Sequence, residues 1–358
     1  MLPLSDMVSP HDKTLTKKVV EQSADPEVFL SFRAIQGHEK TLKIVARVLE
    51  TRRLSHAYLF SGPDGIGKRL VAGAFAQALL CASGSAESCG QCSSCVQVES
   101  GNHPDLHLIR PLEGSIPIDR IRSLQQELTR KSFTGSYKVC IIDEAEKMNT
   151  ASQNSLLKTL EEPTPDTVII LVTSQPYRLL ATVRSRCQQF AFSPLTLPAA
   201  AALIREKAGI DESTALLLAS ITGGSPGKAL ELDTEYVLSL REQWIHQSIQ
   251  NRGRELFLLA EEFFQDKEAI EVKLNLVRLW FRDIILCKIF GNVERLVNQD
   301  RGKEIAEISA RWSMEQVLGV LLLIEEYTSA LEYNVNPQLT MEALLLRMAP
   351  ESEAVLVS

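Results

Sequence analysis

Hydrophobic and polar positions along this chain follow first one period and then another, and the changes of period divide it. Residues 1–30 are polar and lack sustained periodicity, which predicts a mobile tail or an over-long start with Met7 as an alternative beginning. Within Phe32–Leu54 the apolar residues Leu42, Ile44, Val45, Val48 and Leu49 share one helical face after a turn at Gly37. A short apolar run, His56–Phe60 (HAYLF), then predicts a buried strand. Leu70–Leu80 (LVAGAFAQALL), with alanines and leucines three and four apart, predicts a helix. Further strands are expected at Asp105–Pro111, Tyr137–Glu144 and Thr167–Thr173, with a short last one at Gln188–Phe192. Helices are expected at Asp119–Lys131, with Asp119 as N-cap, and at Ala151–Glu161, which stops before Pro163.

Strands alternating with helices over residues 32–192 predict an α/β domain with a parallel sheet, whose ligand lies at the carboxyl ends of the strands. Beyond it, Pro194 and Pro198 bracket a linker. Ala199–Leu232 is rich in alanine and leucine and breaks at Gly223–Gly227 (GGSPG), which predicts a small helical domain. Glu235–Met348 is helical throughout, with stripes such as Val272, Leu276, Leu279 and Trp280 read as core, and only Gly319–Leu331 as a candidate partner surface. The expected boundaries are a tail at 1–30, an α/β domain at 31–193 with a cysteine module at 81–100, a lid at 194–232, a helical domain at 233–350 and a tail at 351–358.

The strand and helix around residue 65 enclose Gly62–Arg69, GPDGIGKR. Strand, glycine loop and helix is the context of a phosphate-binding loop. Gly62, Gly65 and Gly67 let backbone N–H groups cradle a polyphosphate at the helix N-terminus, and Lys68 reaches the outer phosphates. An ordinary strand-to-helix turn would also use glycine, but Lys68 and the flanking elements favour the phosphate loop. The next position should be Ser or Thr, whose hydroxyl holds magnesium; here it is Arg69. A loop able to bind phosphate is therefore not automatically able to hydrolyse it. Tyr137–Glu144 (YKVCIIDE) is an apolar run ending in two carboxylates, a pattern in which Asp143 supports magnesium and Glu144 polarises the attacking water. The strand Thr167–Thr173 leads into Ser174, a further candidate nucleotide contact.

Four of the seven cysteines, Cys81, Cys89, Cys92 and Cys95, crowd into fifteen residues. Two C-x-x-C steps turn backbone N–H groups toward the sulfurs, with Gly90 supplying the turn between the first pair. Four thiolates suit a structural, tetrahedral zinc with no open position. An iron–sulfur cluster is the rival, but the fourth cysteine lies upstream and no Cys-Pro follows. Cys140, Cys187 and Cys287 are read as core residues.

The totals narrow the classes. A chain of 358 residues with 45% hydrophobic content makes two or three well-buried domains. A formal net charge of −7 argues against a surface that coats DNA. No run reaches the roughly 18 apolar residues of a membrane span, and the N-terminus lacks the pattern of a secretory signal, so a cytoplasmic location without membrane contact is expected.

Taken together, SHAYLFSGPDGIGK, the four-cysteine insertion, NSLLKTLEEP (Asn154–Pro163), SRC (Ser185–Cys187), GGSPGKAL and NPQLTMEALL (Asn336–Leu345) resemble the bacterial sliding-clamp loaders of the AAA+ family, most closely their delta-prime group. The resemblance covers about residues 30–350. It implies a zinc module on a RecA-like domain, a helical lid, and a C-terminal helical domain joining a ring-like collar of five subunits. The implied partners are gamma/tau and delta subunits, the sliding clamp, and primer–template DNA reached through the complex, within the DNA polymerase III holoenzyme at the nucleoid. The SRC arginine, here Arg186, is implied to be a trans-acting finger on a neighbour's nucleotide; a surface salt bridge is the alternative that the residues alone would favour. Where motor subunits of that family carry a lid arginine, this chain has Gly227, with Lys228 one residue off and a candidate to substitute for it in part. The resemblance thus implies a stator with weak or absent ATPase of its own, ATP and magnesium in its site being doubtful, and no polymerase centre. The rival is an ATP-hydrolysing gamma/tau motor, against which Arg69, Gly227 and the lack of a tau-like extension count. A third possibility is a zinc-bearing P-loop protein with an unrelated substrate.

Overall fold

The computed structural model describes residues 31–134, 137–250, 270–291 and 295–332. The expected tails and the stretch Asn336–Leu345 lie outside the described residues. The chain forms two compact units. Of the described residues, one comprises 31–35, Lys40–Phe60 and those within Arg69–Phe190; the other comprises Gln36–Glu39, Ser61–Lys68 and those from Ala191 onward. Among the described residues no helix is long and apolar enough to cross a membrane.

The first unit is built on a five-stranded sheet. Its strands are β1 (Ala57–Ser61), β2 (Leu106–Ile109), β3 (Lys138–Ile142), β4 (Thr167–Thr173) and β5 (Gln188–Ala191), in the order β2-β3-β4-β1-β5. β2, β3 and β4 are parallel, with Leu106 opposite Val139 and Ile142 opposite Leu171. Both faces of β3 and β4 are buried along their whole length, which is why these strands read as continuous apolar runs rather than alternating ones.

The helices of this unit are α1 (Glu39–Thr51), α2 (Lys68–Leu80), α3 (Ser93–Glu99), α4 (Ile118–Leu128), α5 (Thr150–Glu161) and the single turn α6 (Ala181–Arg184). Residues Val71–Leu80 of α2 are all buried, and Gln77, the polar side chain among them, accepts from the Ser88 hydroxyl at 2.7 Å. α4 buries Ile121, Leu124 and Leu128, and α5 buries Leu156 and Leu160, into one core with Cys140, Ile142, Ile169 and Leu171. Asn149 caps α5 by accepting from the N–H of Ser152 at 2.8 Å.

Two local expectations change. Pro117, not Asp119, occupies the N-cap of α4, and Asp119 lies in the first turn. A carboxylate there still faces the positive end of the helix, which explains the misplacement. Pro198 belongs to the first turn of α7 (Leu197–Ala208), where its missing N–H costs no hydrogen bond, so the expected linker is shorter than its two prolines suggest.

The second unit continues through α8 (Glu212–Ile221), α9 (Pro226–Glu231), α10 (Thr234–Gln250), α11 (Ile270–Phe290), α12 (Gly302–Arg311) and α13 (Met314–Glu332). One apolar core runs from Ala200 and Leu218 through Leu276, Trp280 and Phe281 to Trp312 and Ile324, with Val272 and Leu279 packed against it. Asp283 of α11 is fully buried; it accepts the backbone N–H groups of Val297 and Asn298 and pins the following segment to the helix. Within Gly319–Leu331, Val320 and Ile324 are core while Leu322 is 66% exposed, so that helix has one packed and one open face.

Candidate functional site

The glycine loop and the GGSPG turn both belong to the second unit, where they are bound directly to each other. Gly227 N–H donates to Gly65 O at 2.8 Å, and Ser225 Oγ donates to Asp64 O at 2.6 Å. The approach leaves no room for side chains. A Cβ on Gly227 would lie 2.7 Å from Gly65 O and 2.8 Å from its Cα, and one on Gly65 would meet Lys228 N and Ser225 Oγ at 2.5 Å. At Gly227, the position expected to lack a lid arginine, any side chain would therefore have to displace the backbone of Gly65. The backbone and stem of Lys228 lie against Gly65, which fixes where its chain starts. Lys68 is 5% exposed, and its ammonium donates to Gly62 O at 2.7 Å and Pro63 O at 2.5 Å, turned onto the carbonyls of its own loop.

In the first unit the guanidinium of Arg69 stands against the carboxylate of Asp143, with Nη1 3.7 Å from Oδ2. Arg69 is about half exposed and Asp143 is 13% exposed, so the carboxylate is the better-sheltered partner. The residues expected to hold magnesium therefore do not fit the ion. The hydroxyl donor is replaced by a cation, and that cation is spent on the carboxylate that should be the second ligand. Glu144 follows with φ 47°, a left-handed conformation that costs a non-glycine residue on the order of 1 kcal/mol. It is exposed, as a residue meant to touch water or ligand would be.

Ser174, at the end of β4, gives its hydroxyl to Glu146 Oε1 at 2.7 Å and its N–H to the same oxygen at 3.3 Å. Burial pushes the Glu146 carboxyl up, but hydrogen bonds from Thr173 and Ser174 outweigh it and hold the group below the usual range. An ionised Glu146 fixes the Ser174 hydroxyl proton, which is then not directed at a ligand.

Arg186 follows α6, and its guanidinium makes two contacts. Nη2 lies 2.7 Å from Glu161 Oε1 at the end of α5, and Nη1 donates to Thr182 O at 3.0 Å. Neighbouring Val183 and Cys187 are buried, so the backbone that carries Arg186 is anchored while its side chain is 35% exposed.

The four cysteines come together as expected, with all sulfurs within 4.8 Å of one another. Cys81 and Cys92 stand 4.0 Å apart and Cys89 and Cys95 3.9 Å apart. Sulfurs about 2.3 Å from one tetrahedral ion would stand roughly 3.8 Å apart, so the donor set fits a metal. The N–H groups of Cys89, Cys92 and Cys95 donate to Cys81, Cys89 and Cys92 in turn, each at 3.4 Å, and Gly90 takes φ 69°. Burial pushes the Cys81 thiol up, but bonds from Ser83 and the Cys89 N–H bring it down to about 6. Burial also raises Cys92, and its backbone donors, Cys95 first, lower it further than that, whereas at Cys95 burial prevails and the thiol rises. Cys140, Cys187 and Cys287 are buried core residues.

Sequence reasoning missed Glu146, Glu161 and Ser225. Glu146 had a signal, a further carboxylate on the turn after Asp143 and Glu144. Glu161 and Ser225 had none, because each acts on a residue distant in sequence.

Comparison with known proteins places these features in context. The family model described as DNA polymerase III, delta subunit, matches residues 37–196, and that described as DNA polymerase III, delta subunit, C terminal, matches residues 235–349. The DNA polymerase III subunit delta-prime of Bacillus subtilis is 36% identical over 320 residues, which cover 86% of this chain and 95% of that protein. The corresponding subunit of Pseudomonas aeruginosa is 35% identical over 310 residues, 82% of this chain and 92% of that protein. The tau subunit of Bacillus subtilis is 26% identical over 349 residues, 90% of this chain but 62% of that protein.

Proposed function

Because the chain belongs to the DNA polymerase III delta-prime family, we propose that it acts as the stator of a clamp loader, helping ATP-driven loading of a sliding clamp on primed DNA. The observation that carries the stator reading, as opposed to a motor, is the ion pair between Arg69 and Asp143. It neutralises the carboxylate needed for magnesium with a charge that belongs to the chain. The bound Ser174 hydroxyl and the occluded Gly227 position support the same reading.

In this proposal catalysis is exerted outward. Arg186 supplies a permanently charged, planar fork to the nucleotide of a neighbouring gamma/tau subunit, where it stabilises charge on the transferring phosphoryl group. Asp143 and Glu144 are vestigial in their own site. Residues 194–232 serve as the lid and residues 233–350 join the collar with gamma/tau and delta subunits, reaching primer–template DNA through the complex. The protein works in the cytoplasm with the replisome. Cys81, Cys89, Cys92 and Cys95 would hold one structural zinc, which supplies a fold for residues 81–100 and no chemistry.

The test is the ATPase rate of the purified chain alone, of motor subunits alone, and of the two mixed with a delta subunit, read beside clamp loading on primed DNA. The expected result is negligible turnover by the chain alone and a stimulated rate in the mixture. Vigorous hydrolysis by the chain alone would favour the motor.

A further inference from the structure

The contacts around Arg186 are supplied by its own subunit, and we infer that Glu161 is the positioning residue that aims this arginine at its target. The inference rests on the finger role proposed above. Glu161 is the last residue of α5, whose buried Leu156 and Leu160 fix the helix end, and Pro163 prevents its continuation. Arg186 is rooted between buried Val183 and Cys187. Two rigid pieces of backbone thus present two half-exposed side chains to each other, 2.7 Å apart.

An exposed ion pair of this kind contributes little to the stability of a fold. Its geometry is nevertheless specific. A single hydrogen bond, from Nη1 to Thr182 O, leaves the guanidinium free to pivot; a second, from Nη2 to Glu161 on a different element, sets the plane of the group. The two contacts engage two of the five N–H donors of an arginine, and the other three are not needed for them. A finger must be placed within about 0.5 Å to act on a transition state, and a long side chain that samples many rotamers spends only a fraction of its time there. Glu161 restricts that sampling before the neighbour arrives. Its removal is therefore expected to slow the step that Arg186 assists without weakening binding of the neighbour's substrate.

The experiment uses complexes reconstituted from this chain with gamma/tau and delta subunits, checked for composition and for unchanged melting. Steady-state kcat and KM for ATP are measured with the unmodified chain, Glu161→Ala, the equal-sized Glu161→Gln, Arg186→Ala, and the double variant Glu161→Ala/Arg186→Ala. The rate lost in Arg186→Ala defines the arginine-dependent part. Both Glu161 variants should lower that part about five- to tenfold with KM unchanged, as loss of a rotamer restraint on arginine predicts. The double variant should be no slower than Arg186→Ala. Should Glu161→Gln and Glu161→Ala leave the arginine-dependent part intact, or raise it, or slow the complex further when Arg186 is already alanine, Glu161 does not position the finger. An Arg186→Ala complex with an undiminished rate would remove the finger role first and this inference with it.

Discussion

Replacing Arg69 by threonine restores the hydroxyl that the phosphate loop lacks and takes away the charge that faces Asp143. The cost to the fold should be small, because a pair 3.7 Å apart with its arginine about half exposed is worth about 0–1 kcal/mol. The effect on metal should be larger. A doubly charged ion held by the Asp143 carboxylate would stand about 4 Å from the guanidinium, where repulsion is roughly 2 kcal/mol at the dielectric of water and roughly 8 at an effective value of 20. Exposure of Arg69 argues for the lower figure, which corresponds to about thirtyfold in affinity. A fluorescent ATP analogue titrated with magnesium and again with chelator measures this. The unmodified chain should bind weakly and equally under both conditions, and Arg69→Thr should gain at least about thirtyfold when magnesium is present. Turnover should stay negligible, since Gly227 carries no arginine and the Ser174 hydroxyl is held by Glu146. A variant that ignores magnesium, or one that hydrolyses ATP readily, would refute the reasoning.

Purified protein should contain about one zinc per chain by metal analysis, and Cys92→Ser should expose residues 81–100 to protease while the sheet domain survives, since structural zinc contributes on the order of 10 kcal/mol to the folding of small modules. Iron with visible absorbance would contradict this. Arg186→Ala should assemble normally yet lower the ATPase of the complex in part and clamp loading more, and Arg186→Lys should not rescue, because a point charge lacks the planar fork; unchanged values for both would make SRC structural only. Burial raises the Asp105 carboxyl, but donors from Phe133 and Thr134 outweigh this and lower it, so its stabilisation is present above the unfolded value near 4 and is lost as pH falls through the lower folded value. Urea melts should show Asp105→Asn less stable than its parent at pH 7, with the difference shrinking below about pH 4. Gly227→Ala should cost about 1–3 kcal/mol in the same melts, since its Cβ would meet backbone rather than a movable side chain; a neutral result would mean the Gly223–Gly227 turn and the glycine loop are not bound as described.

What the sequence made legible was what lies close together along it. The strand before Gly62 and the helix after Lys68 follow from apolar runs, and the cysteine cluster follows from two C-x-x-C steps whose N–H groups meet the preceding sulfurs within a single turn. The contacts that decide the fate of the site are of another kind. Ser225 reaches Asp64 across 161 positions, and Arg69 meets Asp143 only after β3 has been placed in the sheet. Periodicity carries no information on such pairings. Gly227 shows the limit well: the resemblance implies only that an arginine is missing there, and the obstruction by the backbone of Gly65 exists only in three dimensions. Asp119 and Pro198 mark a smaller limit, since residues favoured just before a helix are also favoured in its first turn.

The closeness of Gly65 and Gly227 also orders the routes by which a motor's site can be built into this chain. Threonine at position 69 alone leaves a loop with no arginine above it. Arginine at position 227 alone is obstructed by Gly65, so the Gly223–Gly227 turn must first be displaced, breaking the bonds from Gly227 to Gly65 and from Ser225 to Asp64. Each step taken singly meets either no gain in turnover or a loss of stability. The two glycines thus act as a latch: a side chain added on either one is opposed by the backbone of the other segment.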